Sequence, residues 1–105
     1  MSVTAAFSIT PLGGSAVAED GSVGPAVAEV VRIVRSSGLP HETNAMFTNV
    51  EGSLEDVLAL IGRCVEQVTT LAPRASVVVK LDVRPGREHM LQEKVASIER
   101  HLAGS

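Results

Sequence analysis

The sequence predicts an α+β sandwich of order βαββαβ, extended by one C-terminal helix, and three observations carry that prediction. Two segments, Val3 to Thr10 and Ala75 to Arg84, alternate apolar with small or polar residues, the period of a strand with one buried face. Two longer segments, beginning near Val23 and at Leu54, repeat Val, Leu and Ile at helical spacing. Between them, His41 to Gly52 is rich in Thr, Phe and Val and has room only for a short hairpin. Two right-handed βαβ units joined through a hairpin form the ferredoxin-like arrangement, a four-stranded antiparallel sheet with two helices on one face.

Each element has its own signal. The first strand sets Val3, Ala5, Phe7 and Ile9 against Thr4, Ala6, Ser8 and Thr10, and Pro11, Gly13 and Gly14 end it. In the first helix Val23, Val27, Val30, Val31 and Val34 recur, with Pro25 in the first turn, where its missing N–H is tolerated, and Gly38 as a stop. The hairpin is expected to turn near Met46 and Phe47 with a register open by one residue, because no Asn-Gly or Asp-Gly pair fixes it. Ser53-Leu54-Glu55-Asp56 resembles a capping box with Asp in place of Glu, and Leu54, Val57, Leu58, Ile61, Val65, Val68 and Leu71 then mark one helix face up to Pro73. The last strand puts Val77, Val79, Leu81 and Val83 on one face and Ser76, Val78, Lys80, Asp82 and Arg84 on the other, and Pro85-Gly86 breaks it. Leu91, Val95, Ile98 and Leu102 make a final amphipathic helix.

At 105 residues the chain is expected to be a single domain over 1–105, and 45% hydrophobic residues with a mean hydropathy of +0.25 give it enough apolar surface for a core. A formal charge of -3 with interspersed signs, no Trp or Tyr, and only Phe7 and Phe47 as aromatics argue against nucleic acid as a partner. No apolar run approaches the roughly 20 residues that span a bilayer, so no membrane partner is expected. Cys64 cannot form an internal disulfide and no basic segment precedes the apolar start, so a cytoplasmic location is expected.

The chemistry-bearing residues are few. Pro11-Leu12-Gly13-Gly14-Ser15 lacks the Lys of a phosphate-binding loop, leaving a turn or a backbone clamp on a ligand. His41, His89 and His101 fall in different segments, so no metal site and no cofactor is expected. Cys64 borders the apolar stripe of the second helix, where a small buried hydrophobe is the common outcome. Glu51 ends the hairpin among hydrogen-bonding side chains and is either a solvated turn carboxylate or a ligand carboxylate. Met46 and Phe47 are core plugs or apolar walls against a flat ring, and Lys80, Asp82 and Arg84 read as cross-strand or inter-subunit ion pairs. The sheet face opposite the two helices is too apolar at its centre to stay wet, so self-association through that face or through sheet edges is expected.

The fragments Pro11-Leu12-Gly13, Ser37-Gly38-Leu39-Pro40, Met46-Phe47-Thr48-Asn49-Val50-Glu51-Gly52, Lys80-Leu81-Asp82-Val83-Arg84 and Lys94-Val95-Ala96-Ser97-Ile98 together resemble the small thiamine-binding, YkoF-like domain family over nearly the whole chain. The resemblance implies a ferredoxin-like subunit that assembles into dimers or dimers of dimers and binds thiamine or its hydroxymethylpyrimidine portion without catalysis. It carries Thr48 and Glu51 over by position, with Ser8 as a pocket neighbour; Asn44 and Asn49 join them by polarity and place. Thr48, Asn44 and Ser8 are expected to fix the ring edge, Glu51 to accept from the exocyclic amine or balance the cation, and Met46 or Phe47 to pack on a ring face. The chain departs from the family pattern at Phe47, where Gly is common, at Ala45 for Pro, at Val65 for His and at Val83 for Asp. The competing reading is a regulatory or structural oligomerisation module without a thiamine ligand.

Overall fold

The computed structural model describes residues 2–14, 23–86 and 90–104. Its elements are β1 (Ser2–Leu12), α1 (Gly24–Ser36), β2 (His41–Thr43), β3 (Thr48–Ser53), α2 (Leu54–Leu71), β4 (Arg74–Val83) and α3 (Met90–Ala103). The strands form one antiparallel sheet in the order β2-β3-β1-β4, the ferredoxin-like topology that the element order predicts.

Strand parity decides what lies on each face. Val3, Ala5, Phe7 and Ile9 of β1 turn toward α1 and α2 and close a core with Val50, Val30, Val34, Val57, Leu60, Ile61, Cys64 and Val68. Helix α2 is 18 residues long and starts where Ser53 Oγ accepts the Asp56 N–H at 3.1 Å, so the expected cap is present. Helix α1 begins with Pro25 in its first turn, but Val23 stands at the N-cap position and makes no side-chain cap. At the other end Ser37 Oγ donates to the Val34 carbonyl at 2.6 Å and accepts the Leu39 N–H at 3.1 Å, while Gly38 turns the chain with φ +78°.

The Gly13-Gly14 pair is a structural turn. Both residues have positive φ, and a Cβ on Gly14 would stand 2.6 Å from the Leu71 carbonyl oxygen, so the chain passes too close to the end of α2 for any side chain.

The opposite sheet face is partly covered by α3, which contacts β1 and β3 and is tied down by Lys94, whose ammonium donates to Asp82. That hydrogen bond, more than the neighbouring cations, holds the Asp82 carboxyl below its ordinary pKa. The helix leaves much of its own apolar stripe in solvent, with Val95, Ile98 and Leu102 all more than half exposed.

Candidate functional site

β1 is 11 residues long and β3 only 6, and this mismatch builds a concavity at the sheet. Pairing between them stops at Phe7 opposite Thr48, whereas β1 continues from Ser8 to Leu12 paired with β4 alone. Alternate residues of that overhang therefore direct backbone N–H and C=O groups at an edge with no strand beside it among the described residues. The β2–β3 loop and the start of α1 wall off this edge, leaving a cleft of about 200 Å³ lined by Ser8, Thr10, Val27, Thr43, Phe47 and Thr48 among others.

The loop is held by Asn44. Its Oδ1 accepts the N–H groups of Met46 and Phe47, both at 2.9 Å, and its own N–H donates to the Phe47 carbonyl at 3.0 Å. This Asx turn explains a four-residue hairpin loop without a glycine pair. It also revises the role expected of Asn44: the carboxamide oxygen is occupied by the backbone, and only its NH₂ is left for a ligand.

Five of the residues singled out from the sequence, Ser8, Asn44, Met46, Phe47 and Thr48, line this cleft. Thr48 is buried, Phe47 half-buried, and Met46 exposed at the loop tip. Asn49 and Glu51 do not join them. Thr48 pairs with Phe7 on the helix-facing side, whereas Glu51 pairs with Thr4 and Asn49 with Ala6 on the opposite face. Residues three apart in a strand point to opposite sides, so Thr48 and Glu51 lie on opposite faces of the sheet, and Glu51 is not among the cleft residues. Glu51 is only 4% exposed and accepts the Ser2 hydroxyl at 3.3 Å.

Beside Glu51, the Thr4 hydroxyl is buried with no hydrogen-bond partner among the described residues. Thr4→Val keeps the shape and removes the orphaned group, and is expected to leave folding stability unchanged or raise it by up to about 1 kcal/mol in urea denaturation. A loss of more than that would mean the hydroxyl is satisfied in solution.

The remaining candidates are peripheral. His41 and His101 are exposed and donate Nδ1–H to the Leu39 and Ser97 carbonyls at 2.9 and 2.7 Å; His89 lies outside the described residues. Cys64 is fully buried in the core, and burial pushes its thiol up to about 11 against the small opposing effect of Arg63. No group of three or more His, Cys, Asp or Glu side chains able to hold a metal occurs among the described residues, nor does a helix long and apolar enough to cross a membrane.

A family model described as thiamine-binding protein matches residues 5–99. The chain belongs to the thiamine-binding protein family. Relatives within reach of sequence comparison include UPF0045 protein MT1949 of Mycobacterium tuberculosis, 50% identical over 103 residues spanning 97% of this chain and 96% of that protein. Among solved structures, hypothetical protein MJ1052 of Methanocaldococcus jannaschii superposes with a TM-score of 0.80 at 31% identity, over 93% of this chain and 96% of that one. A Thermotoga maritima protein, described provisionally as one of thiamine biosynthesis or salvage, superposes with a TM-score of 0.79 over 93% of this chain and 99% of its own. At 21% identity it shows the shared fold alone.

For this member of the thiamine-binding protein family, the sequence did not single out Thr10, Val23, Val27, Val30 or Thr43 as cleft residues. One signal was available. The alternation of the first strand is longer than any strand that fits between Pro40 and Gly52, so one edge of it had to run past its neighbour. Val23 adds a second: an apolar residue where a helix would normally carry Ser, Thr, Asp or Asn forgoes the cap, and its side chain lines the cleft instead.

Proposed function

We propose that this chain binds thiamine, or a related aminopyrimidine, at the overhanging edge of β1 and releases it unchanged, acting as a homo-oligomer in the cytoplasm. Family membership supports the ligand class. The observation that carries the placement is the overhang itself. An aminopyrimidine sets a ring-nitrogen acceptor beside an amine donor, and a strand edge sets N–H beside C=O, so the two are complementary. Thr48 adds a hydroxyl from the buried side, and Val27, Val30 and Phe47 supply an apolar surround for the ring.

Size and charge then select the half of thiamine that enters. The cleft volume of about 200 Å³ is below the roughly 300–1,000 Å³ typical of pockets for larger ligands, and among the described residues no Asp, Glu, Lys or Arg lines it. The pyrimidine is seated and the thiazolium stays in solvent, where its charge keeps its hydration. Among the described residues the same lining offers no His, Cys or carboxylate to take up a proton, which favours binding over catalysis.

Titration calorimetry with thiamine and with hydroxymethylpyrimidine tests this reading. Both are expected to bind and to raise the melting temperature. Thr48→Val is expected to weaken both by about tenfold, the value of one ring-edge hydrogen bond. Glu51→Gln, on the other face, leaves both affinities within about twofold on the same scale. Absence of heat and of stabilisation with either compound overturns the proposal. The exposed apolar residues of β4 and α3 favour the second reading, an assembly module without a ligand, and a stable oligomer that binds neither compound would establish it.

A further inference from the structure

The sheet face turned away from α1 and α2 is open at one end. Toward Asp82 it carries α3, held where Lys94 donates to Asp82, whereas the rows around Ser8 and Thr10 stay accessible. In those rows Ser8 stands opposite Val78 of β4 and Thr10 opposite Ser76, with Lys80 one row along, opposite Ala6. Val78 is 53% exposed, and Ser76 and Lys80 are exposed on either side of it. Side chains two apart on a strand share a face, so these three present a hydroxyl, an apolar patch and an ammonium in line.

Lys80 has no ion-pair partner among the described residues. Asp82, two residues on along the same face, already accepts from Lys94. An exposed lysine is ordinary by itself. This one differs by its place, because Ser8 and Thr10 line the cleft and also border the row of β4 side chains to which Lys80 belongs.

We propose that Lys80, with the Ser76 hydroxyl, receives a phosphate carried on the hydroxyethyl arm of the ligand, so that the chain prefers the phosphate ester of thiamine to thiamine itself. This rests on the reading above, in which the aminopyrimidine is seated at the overhang of β1, and it names the form of the ligand that fits best. The seat lies on the line that a longer β3 would follow, one strand spacing from β1, and β4 lies one spacing beyond β1 on the other side. Two spacings are about 10 Å, a distance that the second ring of thiamine and its two-carbon arm cover from the pyrimidine. The path crosses β1 at Ala6 and Ser8, whose short side chains leave room above the strand. Along β4, Lys80 stands about 7 Å from Val78, within the reach of its four-carbon stem. Arg74 and Arg84 lie four and six residues from Val78, about 14 and 20 Å along an extended chain, too far to share the same phosphate. The thiazolium stays in water along this path. Thiamine brings only positive charge toward the Lys80 ammonium, whereas its ester brings an anion that can accept from it.

Titration calorimetry of the full chain with thiamine and with thiamine monophosphate reads the proposal as a ratio of affinities. In the wild type the ester is expected to bind about fivefold tighter, the upper worth of one exposed ion pair. That margin is expected to vanish at about 1 M salt, where charges are screened beyond about 3 Å. Lys80→Gln is expected to bring the ratio to about one on the same scale, while Lys80→Arg, which restores the charge, keeps it. Arg84→Gln, an equal loss of charge elsewhere on the chain, is also expected to keep it. If thiamine binds and the ester binds no tighter, or if Lys80→Gln retains the preference, the phosphate subsite is overturned and the cleft reading stands. A preference that Arg84→Gln abolishes as fully as Lys80→Gln reflects overall charge and overturns the subsite too. If neither compound binds, both readings fall.

Discussion

Phe7→Ala is expected to remove about 3–5 kcal/mol of folding stability, the usual cost of deleting a buried aromatic ring. Phe7 is 1% exposed, sits on the central strand between Thr48 and Val79, and belongs to the core that α1 and α2 close. Its strand is paired on both sides, with β3 and with β4, which restricts how far the site can collapse around the void. For a domain whose total stability is about 5–15 kcal/mol, such a loss lowers the melting temperature by more than about 10 °C. The chain has no Trp or Tyr, so unfolding is followed by far-ultraviolet circular dichroism in urea. The midpoint is expected to fall with the slope unchanged. A cost below about 1 kcal/mol would mean that the ring is not enclosed in solution. Because Phe7 also lines the cleft, the variant is expected to lose ligand affinity as well.

The second large effect is alkaline. Burial raises the Cys64 thiol from 9.0 to about 11. The unfolded chain therefore loses its thiol proton first as pH rises, and the folded state, which keeps it, is penalised. The contribution is complete below pH 9 and is lost between pH 9 and about 11. Two pH units correspond to about 2–3 kcal/mol. Urea denaturation across that range is expected to show the decline in the wild type, and Cys64→Ala is expected to lack that share of it. Equal slopes for the two proteins would show that the thiol ionises in place without opening the core.

Much of this architecture is written in local periodicity. The alternation of Val3 to Ile9, the helical repeat from Leu54 to Val68 and the Ser53 cap each state one element, and the structure places all three where those residues require. What periodicity omits is neighbourhood. Val77, Val79, Leu81 and Val83 alternate as cleanly as the β1 residues, yet they remain 37–43% exposed because β4 is an outer strand that the helices reach only in part. The last helix declares its stripe through Val95, Ile98 and Leu102, but nothing in that stripe says that it faces solvent and that Asp82 receives Lys94.

The lining of the candidate cleft was legible by residue and not by face. Asn44, Met46, Phe47 and Thr48 follow from being in the hairpin loop and at its strand start, and Ser8 from the strand beside it. The separation of Thr48 from Glu51 follows from a spacing of three in an extended chain, but using it requires knowing where the turn ends. That depends on the Asn44 side chain bonding to the backbone, which competes with other turn geometries and leaves no unique signature.

The short hairpin has a consequence for how such domains diversify. Extending each arm of β2 and β3 by three residues would carry β3 alongside Ser8, Ile9 and Thr10 and satisfy backbone groups there from within. The recess would be zipped shut by main chain, with every core side chain still in place. Loop length near Asn44 is therefore a dial for vacancy or closure, set independently of the residues that make the domain fold.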